Sequence, residues 1–432
     1  MRKAGPVLLQ SLAGVLCLGI GLANATDAAR GPSPDPRMGD GGVSSFYDWT
    51  GALPSGPGRM LRQEPLPSAM LPPHAASGTR ILYSSLSGVG RQGPAAVSGL
   101  LLLPRGAAPA GGWPVVAWAH GTTGFADVCA PSWRGRPARD NAYLDGWLSR
   151  GFAIVATDYE GLGTPGDHPY LLYRSEAHSI LDGVRAALSD PGAELRNRII
   201  LVGQSQGAGA ALGAAWLHPL YAPELDIKAA VLTGLVTGIA TAQTHDKAKI
   251  YSDPNRMDPS FAMLRFAGTD HALHPSADLQ GFLTPKGEQM LGTALHGCLH
   301  DLFAEARKLD LKNGGQMFSR SIGPIDDDME ANFTIPDGHV AMPVFVGTGL
   351  ADGEAGAGGQ YDAVAAMCSA GSPVVWHTYP GLTHNGTVNG SSADSAAFVA
   401  SVLDGHPPRS NCASIAAPGP LQSPTPGVVF NN

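Results

Sequence analysis

Past residue 25 the sequence has no apolar run long enough to cross a bilayer, which excludes a core of membrane spans. It has no basic cluster either, and its formal charge is −8. An acidic chain without a Lys/Arg stripe offers no electrostatic footprint for a nucleic-acid backbone, so nucleic acid is set aside as a partner. Cysteine is scarce, with five residues in 432. The zinc-hydrolase signature H-E-x-x-H is missing. His296 and His300 stand four apart with Asp301 beside them, but without the glutamate they read as surface histidines. No metal and no other cofactor is required by anything in the chain.

What is present starts with Met1-Arg2-Lys3, an apolar run from Val7 to Leu22, and Ala23-Asn24-Ala25. A charged start, a short apolar stretch and an A-x-A site predict a secretory signal peptide over residues 1–25. Gln10 and Ser11 interrupt the run and argue against a retained anchor. Leu16 ahead of Cys17 is not the small residue that a lipoprotein site needs. Removal takes Arg2 and Lys3 away and moves the formal charge from −8 to −10. The implied location is periplasmic or extracellular. Cys129, Cys298, Cys368 and Cys412 would remain. An even number in an oxidising compartment predicts two disulfides, with three pairings open.

Residues 26–78 are rich in Pro, Gly and Ser and read as an extended arm, with regular structure expected from Thr79. Eight strand-like runs follow, near Ile81–Leu86, Ala95–Leu103, Pro114–Ala119, Phe152–Thr157, Ile199–Val202, Ala229–Leu235, Pro343–Gly347 and Pro373–Tyr379. The first two suggest a hairpin. The later ones alternate with helical patterns at Tyr143–Leu148, Glu176–Leu188, Ala208–Leu217, Ala363–Cys368 and Ala393–Leu403. The expected fold class is α/β, a mostly parallel eight-stranded sheet with helices on both faces over residues 79–412. Between the sixth and seventh strands, residues 236–340 carry helical pieces at Phe261–Phe266 and Gln289–Leu309 and no convincing strand. They read as a helical cap inserted over the site. Residues 413–432 form a C-terminal tail.

Gly203-Gln204-Ser205-Gln206-Gly207 matches G-x-S-x-G between a strand and a helix. That context is a nucleophile elbow, a strained turn that lifts a serine hydroxyl clear of the sheet. A serine needs a base and an acid that orients the base, in the chain order Ser, Asp or Glu, His. Asp352 follows the seventh strand and is the expected acid, with Glu354 and Asp362 as competitors. His384, in the loop after the eighth strand, is the expected base. His377 lies within that strand and reads as structural. The oxyanion donors are expected from the backbone N–H of Gln206 and of Thr122, with Thr123 second, in the loop His120-Gly121-Thr122-Thr123-Gly124. His120 precedes the nucleophile and is given a role in shaping that loop. Gly161-Leu162-Gly163-Thr164-Pro165-Gly166 matches G-x-G-x-x-G, but Pro165 interrupts it and no helix opens after it, so it reads as an ordinary loop.

Together these residues resemble the secretory lipase family of α/β-hydrolases. The resemblance covers roughly Arg80 to Cys412. It rests on the loop Trp118 to Gly124 with Cys129-Ala130-Pro131-Ser132 after it, the elbow, the insertion, and the order Ser205, Asp352, His384. It implies an α/β-hydrolase fold and the pairings Cys129–Cys298 and Cys368–Cys412. Yeast members carry an acidic residue in the oxyanion loop, where this chain has His120-Gly121-Thr122. The function expected is a secreted serine carboxylic-ester hydrolase, a lipase by resemblance. Its substrate is an ester or lipid, met in solution or at an interface, and a monomer is the default. A short-chain esterase or an acyltransferase would carry the same triad. A serine peptidase lacks an evident acidic pair for an amine terminus, and a non-catalytic binding protein would usually have lost a triad member. Phe261, Met263, Leu264, Phe266, Met290, Leu291, Leu299 and Phe303 could line an acyl site or fill the insertion's own core.

Overall fold

The computed structural model describes residue 1 and residues 31–90, 93–240, 253–326 and 332–432. Apart from Met1, the expected signal peptide lies outside the described residues, Cys17 with it.

Apolar runs between turn residues become strands here because both sides of the sheet are covered. The strands are β1 Met60–Pro65, β2 Ala75–Leu86, β3 Pro94–Pro104, β4 Trp113–Ala119, β5 Ala153–Thr157, β6 Leu195–Gln204, β7 Ile227–Thr233, β8 Gly238–Ile239, β9 Thr334–Ile335, β10 Val344–Gly349 and β11 Val374–Tyr379. Nine form one sheet in the order β1-β2-β3-β5-β4-β6-β7-β10-β11. β1, β2, β3 and β5 pair antiparallel in succession, and every pairing from β5 through β4 to β11 is parallel. The β2–β3 hairpin and the mostly parallel sheet agree with expectation.

Three features differ from the sequence reading. The sheet has nine strands rather than eight, and its first strand begins at Met60, well before Thr79, with a short 3-10 turn at Pro36–Met38 earlier still. The extra strand, Met60-Leu61-Arg62-Gln63-Glu64-Pro65, is a half-exposed edge. Its side chains show no apolar alternation, so pattern alone cannot find it. Second, β8 and β9 pair in parallel inside the stretch where no strand was expected. Two residues each are too few to leave a periodic signal. Third, Gln289–Leu309 is not one helix but two, Pro285–Ala294 and Leu299–Lys308. Cys298 stands extended at the break and caps the second helix. His296 therefore precedes that helix while His300 lies on it. Among the described residues no cluster of metal-ligating side chains is found.

Alternate residues of each central strand face opposite cores. Val115, Ala117, Ile199 and Leu201 meet the helices Tyr173–Leu188, Gln206–Tyr221 and Ala357–Ser369 on one side. Val116, Trp118, Ile200 and Val202 meet Ala138–Leu148 and Ser392–Leu403 on the other. The chain segment that connects β7 to β10 contributes a separate core that includes Met263, Leu264, Phe266, Met290 and Leu302.

Cys129–Cys298 ties the loop after β4 to this inserted region, and Cys368–Cys412 ties the helix Ala357–Ser369 to the C-terminal segment. Both pairings are those implied by the family resemblance. The first closes a loop of 169 residues. A cross-link of that span removes about 5 kcal/mol of chain entropy from the unfolded state in the loop-closure model, and native bridges are usually worth about 2–5 kcal/mol. Cys129→Ala with Cys298→Ala should therefore lower the urea-unfolding free energy by about 2–5 kcal/mol. A loss below about 1 kcal/mol would mean that packing alone holds the insertion in place.

Candidate active site

The parallel strands end along one edge of the sheet, and the loops leaving β4, β6, β7, β10 and β11 meet there. Side chains at the carboxyl ends of parallel strands converge in such a crevice.

Ser205 follows β6 directly and precedes the 16-residue helix Gln206–Tyr221. Its backbone sits at φ 58° and ψ −123°, a region that a residue with a Cβ occupies only at a cost of about 1–3 kcal/mol. The elbow tolerates no side chain at either of its glycines. A Cβ on Gly203 would stand 2.0 Å from the Gly207 carbonyl oxygen, and one on Gly207 would stand 2.0 Å from the Ala119 carbonyl oxygen. The Ser205 N–H donates to the Thr233 carbonyl at 2.9 Å, which fixes the turn against β7.

His384 and Asp352 come together in the loops after β11 and β10. His384 Nδ1 is 2.8 Å from Asp352 Oδ2, with the two side chains 4 % and 0 % exposed. Asp352 Oδ1 accepts from the N–H groups of Glu354 (3.0 Å) and Ala355 (2.9 Å), and Oδ2 also accepts from Gln360 Nε2 at 2.7 Å. Behind it, Thr348 Oγ1 donates to Gln360 Oε1 at 3.0 Å and accepts from Trp376 Nε1 at 3.0 Å. Burial alone would raise the Asp352 carboxyl. The hydrogen bond and charge of His384 and the two backbone donors outweigh it and hold the group below the usual carboxylate value.

The competing carboxylates Glu354 and Asp362 line the cavity that holds Ser205 and His384, but the carboxylate at His384 Nδ1 is Asp352. Glu354 is exposed and gives only its N–H to Asp352. Asp362 is on the helix Ala357–Ser369. His377 lies on β11, 3.5 Å from Asp394 and away from Ser205. Gly234, just after β7, has φ 57°, and a Cβ there would stand 2.6 Å from His384 Cε1. The imidazole thus packs on bare backbone, a constraint with no sequence signature.

Ser205 and His384 line one cavity of about 860 Å³ together with Leu235, Val236, Ile239, Met257, Phe261 and Phe303. They also line a second, of about 380 Å³, with Gly121, Thr122, Arg139, Gln204 and Asn385. Of the apolar side chains expected at an acyl site, Phe261 and Phe303 face both cavities and Leu299 faces the smaller one. Met263, Leu264, Phe266, Met290 and Leu291 are buried in the insertion's own core instead.

Among the described residues the N–H groups of Gln206 and Thr122 donate to no protein acceptor. Gln206 opens a helix, where the first N–H groups have no intrahelical partner and the dipole favours negative charge. Thr122 Oγ1 is 2.9 Å from the Tyr170 hydroxyl, and the Thr123 carbonyl accepts from Leu299 N at 2.8 Å. His120 is buried, with Nδ1 2.7 Å from the Gly121 carbonyl oxygen and its ring against Tyr159. Burial lowers its pKa. Gly161–Gly166 is a loop with no helix at its end, and the Gly166 N–H donates to Asp40 at 3.2 Å.

A buried cluster behind the elbow carries no motif and was not anticipated. The Gln206 amide donates to Glu176 Oε1 at 2.7 Å and reaches His168 Nε2 at 3.2 Å. Burial pushes Glu176 up to about 8, against the hydrogen bonds from Gln206 and the Leu171 N–H. An ordinary glutamate ionises near 4.3, so the folded state keeps a proton that the unfolded state has released. The stability this gives is full below pH about 4 and is lost as pH rises through about 8. Glu176→Gln keeps the Oε1 acceptor and has no proton to lose. Its melting temperature relative to wild type should climb between pH 5 and pH 9, and a constant difference would refute the raised pKa.

The sequence profile of the family described as secretory lipase matches residues 138–303. Lipase A of Arthroderma benhamiae is 31% identical over 240 residues, which is 50% of this chain and 47% of that protein. A secreted triacylglycerol lipase of Malassezia furfur is 28% identical over 47% of this chain and 44% of its own length. A probable inactive lipase of Mycobacterium tuberculosis is 28% identical over 46% and 45%. The chain thus spans about half the length of the curated relatives it matches. Candida antarctica lipase A in its closed state superposes with a TM-score of 0.65 at 20% identity, covering 92% of this chain and 91% of that one. A rice cell wall degrading esterase from Xanthomonas oryzae does so with a TM-score of 0.61 at 19% identity, covering 82% and 100%. The chain is similar to the secretory lipases, and it has the α/β-hydrolase fold of the lipase A structures.

Proposed function

We propose that this chain is an exported serine carboxylic-ester hydrolase that acts as a lipase. Ser205 Oγ attacks the ester carbonyl as His384 takes its proton. Asp352 holds the imidazole in the required tautomer and stabilises its charged form. The N–H groups of Gln206 and Thr122 receive the oxyanion. His384 then gives the proton to the departing alcohol, and water releases the acid from the acyl-enzyme through the same base.

The observation that carries the reading is the shared cavity. A serine at φ 58° and a histidine 2.8 Å from a buried carboxylate line the same space of about 860 Å³. The apolar wall supports a long acyl chain, since each buried methylene gains about 0.8 kcal/mol. Phe261 and Phe303, from the segment between β7 and β10, support reading residues 236–340 as a cap over the site. The two disulfides and the secreted relatives support export.

The test is hydrolysis of p-nitrophenyl esters from acetate to palmitate and of emulsified triglyceride. A lipase should give kcat/KM rising towards the longer chains and act on the emulsion. Activity confined to acetate and butyrate would make it a short-chain esterase. No turnover of any ester, with no labelling of Ser205 by a p-nitrophenyl alkylphosphonate, would overturn the hydrolase reading.

A further inference from the structure

The two cavities that meet at Ser205 differ in chemistry. Both take in Phe261, Phe303 and Glu354; the larger adds Leu235, Val236, Ile239 and Met257 along with Arg256, Asp258 and Asp362, whereas the smaller adds Leu299 and Phe430 and, next to the nucleophile, Arg139, Gln204, Asn385 and the oxyanion loop. Polar groups this close to the nucleophile are costly unless something uses them.

Gln204 immediately precedes Ser205. Its side chain is 1 % exposed, its Oε1 accepts from Arg139 Nη2 at 3.0 Å, and its Nε2 is buried with no hydrogen-bond partner. The amide cannot flip to satisfy itself, because Arg139 only donates. A Cβ on Gly121 would stand 2.1 Å from Gln204 Oε1, so the amide is wedged against the oxyanion loop. Arg139 is held by Asp140, with Nε 2.7 Å from Oδ1, and also bonds Asn385, the neighbour of His384. A guanidinium has five N–H donors. Three are engaged in these bonds, and the others remain for a guest.

From this geometry we infer that the smaller cavity is the alcohol subsite of the proposed hydrolase, built for a neutral, hydroxyl-rich alcohol such as a polyol or sugar. The inference rests on the ester-hydrolase reading of the same site. Unused N–H groups on Gln204 and Arg139 read oxygen acceptors beyond the ester oxygen, and an alkyl alcohol has none to offer. Charge excludes an anion: Asp140 neutralises Arg139, and Glu354 lines both cavities. In the acylation step the Ser205 Oγ–carbonyl bond forms and the ester C–O bond breaks. The proton taken from Ser205 passes from His384 to the alcohol oxygen, and the polyol departs through this cavity while the acyl chain stays on the apolar side.

The experiment is competition between 1-octanoylglycerol and hexyl octanoate. Both form the same octanoyl-enzyme, so the ratio of their kcat/KM values reports the alcohol alone. Wild type should favour the glyceryl ester by about tenfold or more, and Arg139→Met and Gln204→Met should each reduce the ratio by about tenfold. A wild-type ratio near one, or variants that keep the wild-type ratio, would overturn the inference and leave the hydrolase reading intact. Loss of turnover on both esters together with absent phosphonate labelling of Ser205 would remove the hydrolase reading itself. A second measurement needs no variant. Octanoyl-enzyme formed from p-nitrophenyl octanoate should partition to glycerol or glucose about tenfold better than to 1-propanol at equal concentration. Equal partition would count against the subsite.

Discussion

Ser205→Ala is expected to reduce ester hydrolysis about a millionfold, to the level that binding and the oxyanion donors sustain without a nucleophile. The backbone gives this prediction a second, independent arm. Ser205 is at φ 58°, and alanine there would keep the strain because the strain belongs to the Cβ and not to the hydroxyl. Glycine would release it. Ser205→Gly should be as inactive as Ser205→Ala yet more stable than it by about 1 kcal/mol. Ester turnover and urea unfolding of the two variants, side by side, check both arms. Residual turnover above about one per cent of wild type in either variant would remove Ser205 from the mechanism.

Asp352→Asn should lower kcat by about ten-thousandfold with little change in KM. All four groups around the carboxylate are donors: the N–H groups of Glu354 and Ala355, the Gln360 amide and His384 Nδ1–H. A carboxylate has an acceptor for each of them. An asparagine must aim its own NH₂ at one side of this cage. Turned towards Oδ2, it faces His384 and forces the wrong tautomer. Turned towards Oδ1, it leaves two backbone N–H groups unsatisfied, at about 1–3 kcal/mol each. Activity and stability should therefore fall together, and the stability loss should show in the melting temperature. A drop in kcat below about tenfold would mean that His384 does not depend on this carboxylate.

The same cage sets a pH limit. The folded-state pKa of Asp352 lies below its ordinary value near 4. Its contribution to stability is thus present above pH about 4 and disappears as acid protonates it below that. Glu176 acts in the opposite sense at the alkaline end, with its proton lost near pH 8. The two groups bound the pH range from either side of neutrality.

Much of the architecture was legible in the sequence because its signals are local. Central strands buried on both faces must be apolar throughout, which made Pro114–Ala119, Phe152–Thr157 and Ile199–Val202 visible as β4, β5 and part of β6. The elbow was visible because close backbone approach admits only glycine at Gly203 and Gly207. Elements without such a demand were missed. β1 is a half-exposed edge, and β8 and β9 are too short to show a period. The break at Cys298, where the Asp301 side chain accepts from the Cys298 N–H, is a local cap inside a stretch whose apolar spacing runs on through it.

The sequence by itself determined the alternation of the central strands with helices, the place of the elbow, and Ser205, Asp352 and His384 as the candidates for the chemistry, because each sits at a strand end where a loop must turn. Only the tertiary structure put the cage of Glu354, Ala355 and Gln360 donors around Asp352 and its Oδ2 beside His384. It alone brought Glu176 under Gln206, Gly234 against the His384 ring, and Arg139 beside the unpaired Gln204 amide. The physical reason is common to all of them. A motif records constraints between neighbours in the chain, while hydrogen-bond satisfaction and close packing join residues that become neighbours only after the sheet has assembled.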